Sequence, residues 1–192
     1  MAAKTALVLK DNAGVAMDPA LLGAGGPAIL EVWFPGQEDG HIVADLLFGV
    51  VNPSGKLPVT FPSSLSQVPA QTTAQWPGTS TGVTYSEGVK VGYRWYQSQN
   101  ITPLFPFGYG LSYTSFAFSD LRVPPPQLAG RGAPVKVTAR VTNTGRVAGS
   151  EVAQLYLRDD VRRLQTSDDG NVDDGEAIDL AQSADRCPNQ VG

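Results

Sequence analysis

Short apolar runs cut off by glycine or proline set the limits on what this chain can fold into. TALVLK (5–10) and AILEVWF (28–34) carry apolar and β-branched residues over a few positions and then stop at turn-forming residues, the pattern of short buried strands. With 21 Gly and 15 Pro among 192 residues the backbone must turn often, which favours a loop-rich α/β or all-β architecture over a helical bundle. Apolar residues make up 42% of the chain and include three Trp, enough to build a core.

The order of segments sharpens this. HIVADLLFG (41–49) places Ile42, Val43, Leu46 and Leu47 on one side of a helix, with Gly49 where a terminator belongs. NPSG (52–55) makes a turn, and KLPVTFP (56–62) reads as another short strand ended by proline. Strand, loop and helix in this order predict a partial α/β sandwich with a mainly parallel sheet. Residues 63–84 read as a long surface loop leading into YSEGVKVGYRWY (85–96), where no strong helix is expected. VKVTARVTN (135–143) then alternates strictly, with Val135, Val137, Ala139 and Val141 on one face and Lys136, Thr138, Arg140 and Thr142 on the other, as a half-solvated antiparallel strand does. EVAQLYLRD (151–159) reads as a second strand. Two strands open a β-sandwich without closing it, since an immunoglobulin-type sandwich needs about seven over ~100 residues.

Charge is unevenly spread. Residues 1–158 hold 11 Lys and Arg against 9 Asp and Glu, whereas residues 159–192 hold 3 against 9. A near-neutral body with an acidic tail gives no electrostatic footprint for nucleic acid, and no apolar run approaches the roughly 20 residues of a membrane span. Neither partner class is expected. The composition of residues 161–192 predicts disorder. DDGNVDDGE (168–176) lacks the alternating ligands of an EF-hand, so no metal is expected there. Cys187 is alone and cannot form an internal disulfide, and His41 is the single His, which leaves no Cys–His constellation. No secretory signal is visible in MAAKTALVLK.

The densest aromatic stretch is PLFPFGYGLSYTSF (103–116), with Phe105, Phe107, Tyr109, Tyr113 and Phe116 around Gly108 and Gly110. Such rings either stack on sugars in a cleft or are buried to weld one unit to the next. Five aromatics with only Ser112, Thr114 and Ser115 among them make a mostly apolar block, so burial is the reading adopted.

EVWFPGQEDGHIVADLLFGVVNPSGKLPVTFP (31–62), YSEGVKVGYRWY (85–96), PLFPFGYGLSYTSF (103–116) and VTNTGRVAGSEVAQLYL (141–157) occur in an order and spacing that resemble glycoside hydrolase family 3, the family of bacterial, fungal and plant β-glucosidases. The resemblance covers roughly residues 5–158. It implies a parent with a barrel domain, an α/β sandwich domain and a fibronectin type III-like domain. Residues 1–118 would be the C-terminal part of the α/β sandwich domain, 119–160 the first strands of the fibronectin-like domain, and 161–192 the tail.

The reaction so implied is retaining hydrolysis of β-glycosidic bonds by two carboxyl groups about 5 Å apart. In the family the nucleophile is an Asp of the barrel domain, and the acid/base is a Glu upstream of the PGQE block in a Glu-Gly-x-Asp-Arg context that does not occur here. Neither position maps onto this chain, so no catalytic residue is assigned, substrate-binding residues stay unassigned, and no cofactor or metal is expected. Glu38 and Glu87 read as loop carboxylates that accept backbone N–H bonds or favour a helix start. Arg94 reads as a stacking or pairing residue, His41 as solvated, and Asn100-Ile101-Thr102 as a glycosylation sequon that matters in an exported eukaryotic protein. The chain is thus expected to be a β-glucosidase-like fragment, inactive alone, whose parent takes a β-glucoside or oligosaccharide. A carbohydrate-binding or adhesion module and a structural remnant of a truncated or frameshifted gene stay open as alternatives. Complete family members are secreted or cytoplasmic, which leaves localisation open. Large apolar patches and an unpaired strand edge are expected to leave the isolated chain aggregated or molten.

Overall fold

The structure is a computed structural model that describes residues 5–18, 21–23, 25–123 and 134–156. The chain divides into two compact units, Met1–Glu151 and Val152–Gly192. Of the second unit residues 152–156 are described, and there the Tyr156 hydroxyl donates to Gln154 Oε1. The acidic tail, the 168–176 segment and Cys187 lie outside the described residues.

The first unit opens with a parallel pair, β1 (Ala6–Leu9) and β2 (Ala28–Glu31), in the register Ala6 to Ala28 through Leu9 to Glu31. Their apolar residues form strands as expected, but β2 stops sooner than AILEVWF suggests. Trp33 takes φ 52°, a left-handed conformation that a bulky residue rarely adopts and that no strand continues through. A 3-10 turn at Gly36–Glu38 leads into helix α1 (Asp39–Leu47), which ends at Gly49 with φ 72°. The helix turns Val43 and Leu46 inward, whereas Ile42 and Leu47 are 38% and 42% exposed.

KLPVTFP does not form a regular strand. It makes instead an antiparallel bridge between Phe61 and Phe105. The Phe61 amide donates to Phe105 O at 2.8 Å and the Leu104 amide to Phe61 O at 2.9 Å. Further along, the Leu57 amide donates to Tyr109 O and the Gly108 amide to Leu57 O, both at 2.8 Å. Proline at positions 58, 103 and 106 removes donors that a full ladder would need, so pairing is confined to these contacts. A 3-10 turn at Leu65–Gln67 follows, within the expected loop.

Helix α2 (Tyr93–Gln99) was not expected from YSEGVKVGYRWY. Tertiary contacts form it: Tyr96 is buried, the Tyr93 ring lies 5.4 Å from that of Phe107, and the Trp95 indole donates to Gln67 O at 2.8 Å. Asn100, at φ 54°, ends it.

An antiparallel hairpin closes the unit, made of β3 (Phe116–Arg122) and β4 (Thr138–Asn143) with an irregular register between Ser119 and Arg122. The strand expected at 151–159 is not formed over residues 151–156, and β4 pairs with β3. β4 is also shorter than its alternating stretch and exposed on both faces, as is most of β3, so alternation here marks no buried face among the described residues.

Among the described residues fully buried side chains are few. Phe61 is 1% and Tyr96 6% exposed, while Phe34, Phe48 and Val50 are each more than 70% exposed. Phe61 is the centre of the ring cluster, with its centroid 6.1 Å from those of both Trp33 and Phe105, and Phe105 stacks on Tyr109 at 5.3 Å. Truncating a buried Phe costs about 3–5 kcal/mol, more than so small a core is expected to spare. Amide exchange should therefore be slowest at Phe61, Leu104 and Gly108, and Phe61→Ala should remove that protection. Slowest exchange in β3 and β4 would contradict the assignment.

Candidate functional site

The aromatic stretch faces inward over most of its length. Residues 103–110 are half-buried against residues 55–61. Gly110 permits that approach, because a Cβ there would come within 2.4 Å of Gly55 O. Lys56 locks the same place: its ammonium donates to Gly110 O at 2.8 Å and pairs with Glu151 at 3.0 Å, and both side chains are mostly shielded. Asn52 holds the next turn. Its amide bonds Ser112 Oγ at 2.9 Å, and the Tyr113 amide donates to Asn52 Oδ1 at 2.7 Å. Tyr113, half exposed, still spends its hydroxyl on Leu46 O. These contacts fasten the segments together.

Two surface hollows carry aromatic walls. One, of about 360 Å³, lies between Pro58–Thr60, Val68, Pro69, Tyr93, Tyr96 and Phe107. It is apolar apart from hydroxyls, and burial pushes the Tyr96 phenol above its ordinary pKa. The other, of about 230 Å³, lies among Ala70, Gln75, Trp76, Val83, Tyr85 and Glu87. Between them the hollows offer one carboxylate, Glu87. A pair able to attack an anomeric carbon and protonate a leaving oxygen is not gathered in either.

The residues singled out in the sequence are scattered. Glu38 is exposed at the α1 N-terminus and makes no side-chain capping bond, and His41 is exposed in the first turn. Glu87 is half-buried. Arg94 stacks with its guanidinium carbon 6.0 Å from the Tyr93 ring centre. Asn100 and Thr102 are exposed.

A carboxylate group escaped sequence reasoning. Asp11, Glu31 and Asp39 lie just past β1, at the end of β2 and at the start of α1, the end of a parallel sheet where α/β folds place polar sites. Lys10 pairs with Asp39. Glu31 Oε1 accepts the amide hydrogens of Trp33 at 2.8 Å and of Asp11 at 3.5 Å. Asp11 Oδ2, Glu31 Oε2 and Asp39 Oδ1 are buried without a hydrogen-bond partner among the described residues. Charged residues directly after short apolar runs were the available signal. Among the described residues no group of His, Cys, Asp or Glu could hold a metal ion, and no helix is long and apolar enough to cross a membrane.

Comparison with known proteins places this geometry. Residues 1–113 match the glycosyl hydrolase family 3 C-terminal domain, so the chain belongs to that family. Among curated relatives, the "Probable beta-glucosidase I" of Aspergillus flavus is 48% identical over 134 residues, covering 68% of this chain and 16% of the relative. The "Thermostable beta-glucosidase B" of Acetivibrio thermocellus is 46% identical over 132 residues, covering 69% and 17%. The solved structure of DesR, a β-glucosidase from Streptomyces venezuelae in complex with D-glucose, superposes with a TM-score of 0.66 at 41% identity, covering 75% of this chain and 18% of that one. The chain therefore spans about a sixth of the length of the curated relatives it matches.

The strained Trp33 is held by Glu31, since its N–H would otherwise lose a part-buried acceptor at a cost of about 1–3 kcal/mol. Glu31→Ala should raise the exchange rate of the Trp33 amide by tenfold or more, on the order of that cost, while Lys10→Ala, which removes a surface pair, should leave it within about twofold. Unchanged exchange in Glu31→Ala would remove this role.

Proposed function

We propose that this chain is a structural and positioning part of a β-glucosidase-like retaining glycoside hydrolase and breaks no glycosidic bond alone. The observation that carries the reading is the placement of its carboxylates. Glu87 is alone in its hollow, Glu31 spends one oxygen on backbone amides beside a strained Trp, Asp39 is paired with Lys10, and neither hollow is lined by Asp11, Glu31 or Asp39. Retaining hydrolysis needs two carboxyls facing each other across one sugar.

In this reading residues 1–118 complete an α/β sandwich domain, the inward-facing aromatic stretch fastens its end, and the hairpin β3–β4 opens a fibronectin type III-like domain over 119–160, with 161–192 as an acidic tail. β3 carries the backbone across the boundary. The β-glucosidase names of the relatives and the D-glucose bound to DesR support a β-glucoside as the substrate of the assembled enzyme. The broad exposure of Phe34, Phe48 and Val50 supports their burial by further protein.

A chimera tests the reading. Residues 5–118 put in place of the matching segment of DesR should give a folded enzyme that hydrolyses an aryl β-glucoside, while the 192-residue chain alone releases no aglycone. A folded but inactive chimera, or turnover by the chain alone, would contradict it.

A further inference from the structure

The loop over residues 70–87 displays two aromatic side chains that the fold does not use. Trp76 is 73% and Tyr85 77% exposed, and neither ring joins the cluster around Phe61. An exposed Trp on a loose loop would signify little. This loop is pinned, and it is pinned through the sequence neighbours of the two rings. Gln75 Oε1 accepts from the Gln71 amide at 3.1 Å and from the Thr72 amide and hydroxyl at 3.0 Å, while its Nε2 donates to Ser86 Oγ at 2.8 Å. The Thr84 amide donates to Ala74 O and the Gly78 amide to Thr73 O, both at 2.8 Å. The Gln75 side chain thus ties Ser86, the residue after Tyr85, to the turn that leads into Trp76, and the rings share the hollow of about 230 Å³ walled by Val83, Thr84 and Glu87.

We propose that Trp76 and Tyr85 form a non-catalytic subsite for a glucosyl unit of a β-linked oligosaccharide. A β-glucosyl ring has all its hydroxyls equatorial, so its C–H faces are flat and apolar and its rim is polar. Stacking of that face on an aromatic ring replaces two water-exposed apolar surfaces by one contact. Glu87, half-buried in the same hollow, accepts hydrogen bonds from rim hydroxyls, and the Thr84 side chain is beside it. The pinned loop lowers the ordering cost of binding. The choice of glucose as the sugar rests on the β-glucosidase-like reading above; the stacking site itself rests on the loop.

The test is calorimetric titration with cellotetraose of the 192-residue chain, taken as the monomeric fraction that shows a cooperative thermal transition. Saturable binding is expected, weakened about tenfold or more by Trp76→Ala, largely kept by Trp76→Phe, and weakened to a lesser degree by Glu87→Gln. Trp76 is mostly solvated, so matched circular dichroism of the variants is expected, and retardation in native gels containing soluble β-glucan gives a second readout. No saturable binding, or equal affinity in Trp76→Ala, overturns the subsite and leaves the family reading intact. Release of aglycone from an aryl β-glucoside by the chain overturns the non-catalytic reading and leaves the subsite intact.

Discussion

Backbone pairing between Phe61 and Phe105 is the contact on which the rest of the first unit depends. It brings two segments separated by 44 positions side by side and sets the Phe61 ring against Trp33 from the end of the parallel pair. Three parts of the chain meet there, and Phe61 is the most deeply buried large side chain among the described residues. The proline-rich flanks restrict the pairing to a few bonds, so side-chain packing supplies what a long ladder would otherwise give. Lys56, shielded against Glu151 and Gly110 O, and Asn52, bonded to the Ser112–Tyr113 turn, extend the same seam in polar form.

The seam explains why aromatic abundance and sugar binding are separable in this chain. Phe105, Phe107 and Tyr109 lie within about 6 Å, centre to centre, of other rings and serve packing. Trp76 and Tyr85 belong to a loop held by its own polar bonds and remain in solvent. The same residue chemistry therefore serves two ends according to whether the backbone around it is paired to the core or only to itself. The carboxylates divide likewise. Glu31 at the end of β2 accepts backbone amides, Asp39 at the start of α1 pairs with Lys10, and Glu87 faces an open hollow.

Much of this was legible in the sequence, and the failures have physical causes. Short apolar runs located β1 and β2, helical spacing located α1, Gly49 marked the helix end, and the low polarity of PLFPFGYGLSYTSF matches the half-burial of residues 103–110, while Leu111 and Tyr113 stay exposed. KLPVTFP carried strand-like composition, yet its prolines allow only isolated pairing. Helix α2 has little local periodicity and exists because Tyr96 and Tyr93 find tertiary partners. β3 went unread because it follows directly on the aromatic block, without a turn to announce it, and alternation in β4 shows that a segment can pair without showing with what. The contacts of Glu31 with the Asp11 amide and of Lys10 with Asp39, like the Gln75 staple, were hidden for the same reason, since they join residues brought together by the fold.

The central claim is a division of aromatic labour: the rings of residues 103–110 are structural and those at 76 and 85 are presented to solvent. Hydroxyl-radical footprinting of the full chain tests it directly, residue by residue, with mass spectrometry as the readout. Rapid oxidation of Trp76 and Tyr85 with slow oxidation of Phe61, Phe105 and Phe107 is the expected result. Rapid labelling of Phe105 and Phe107 together with protected Trp76 and Tyr85 would contradict the account.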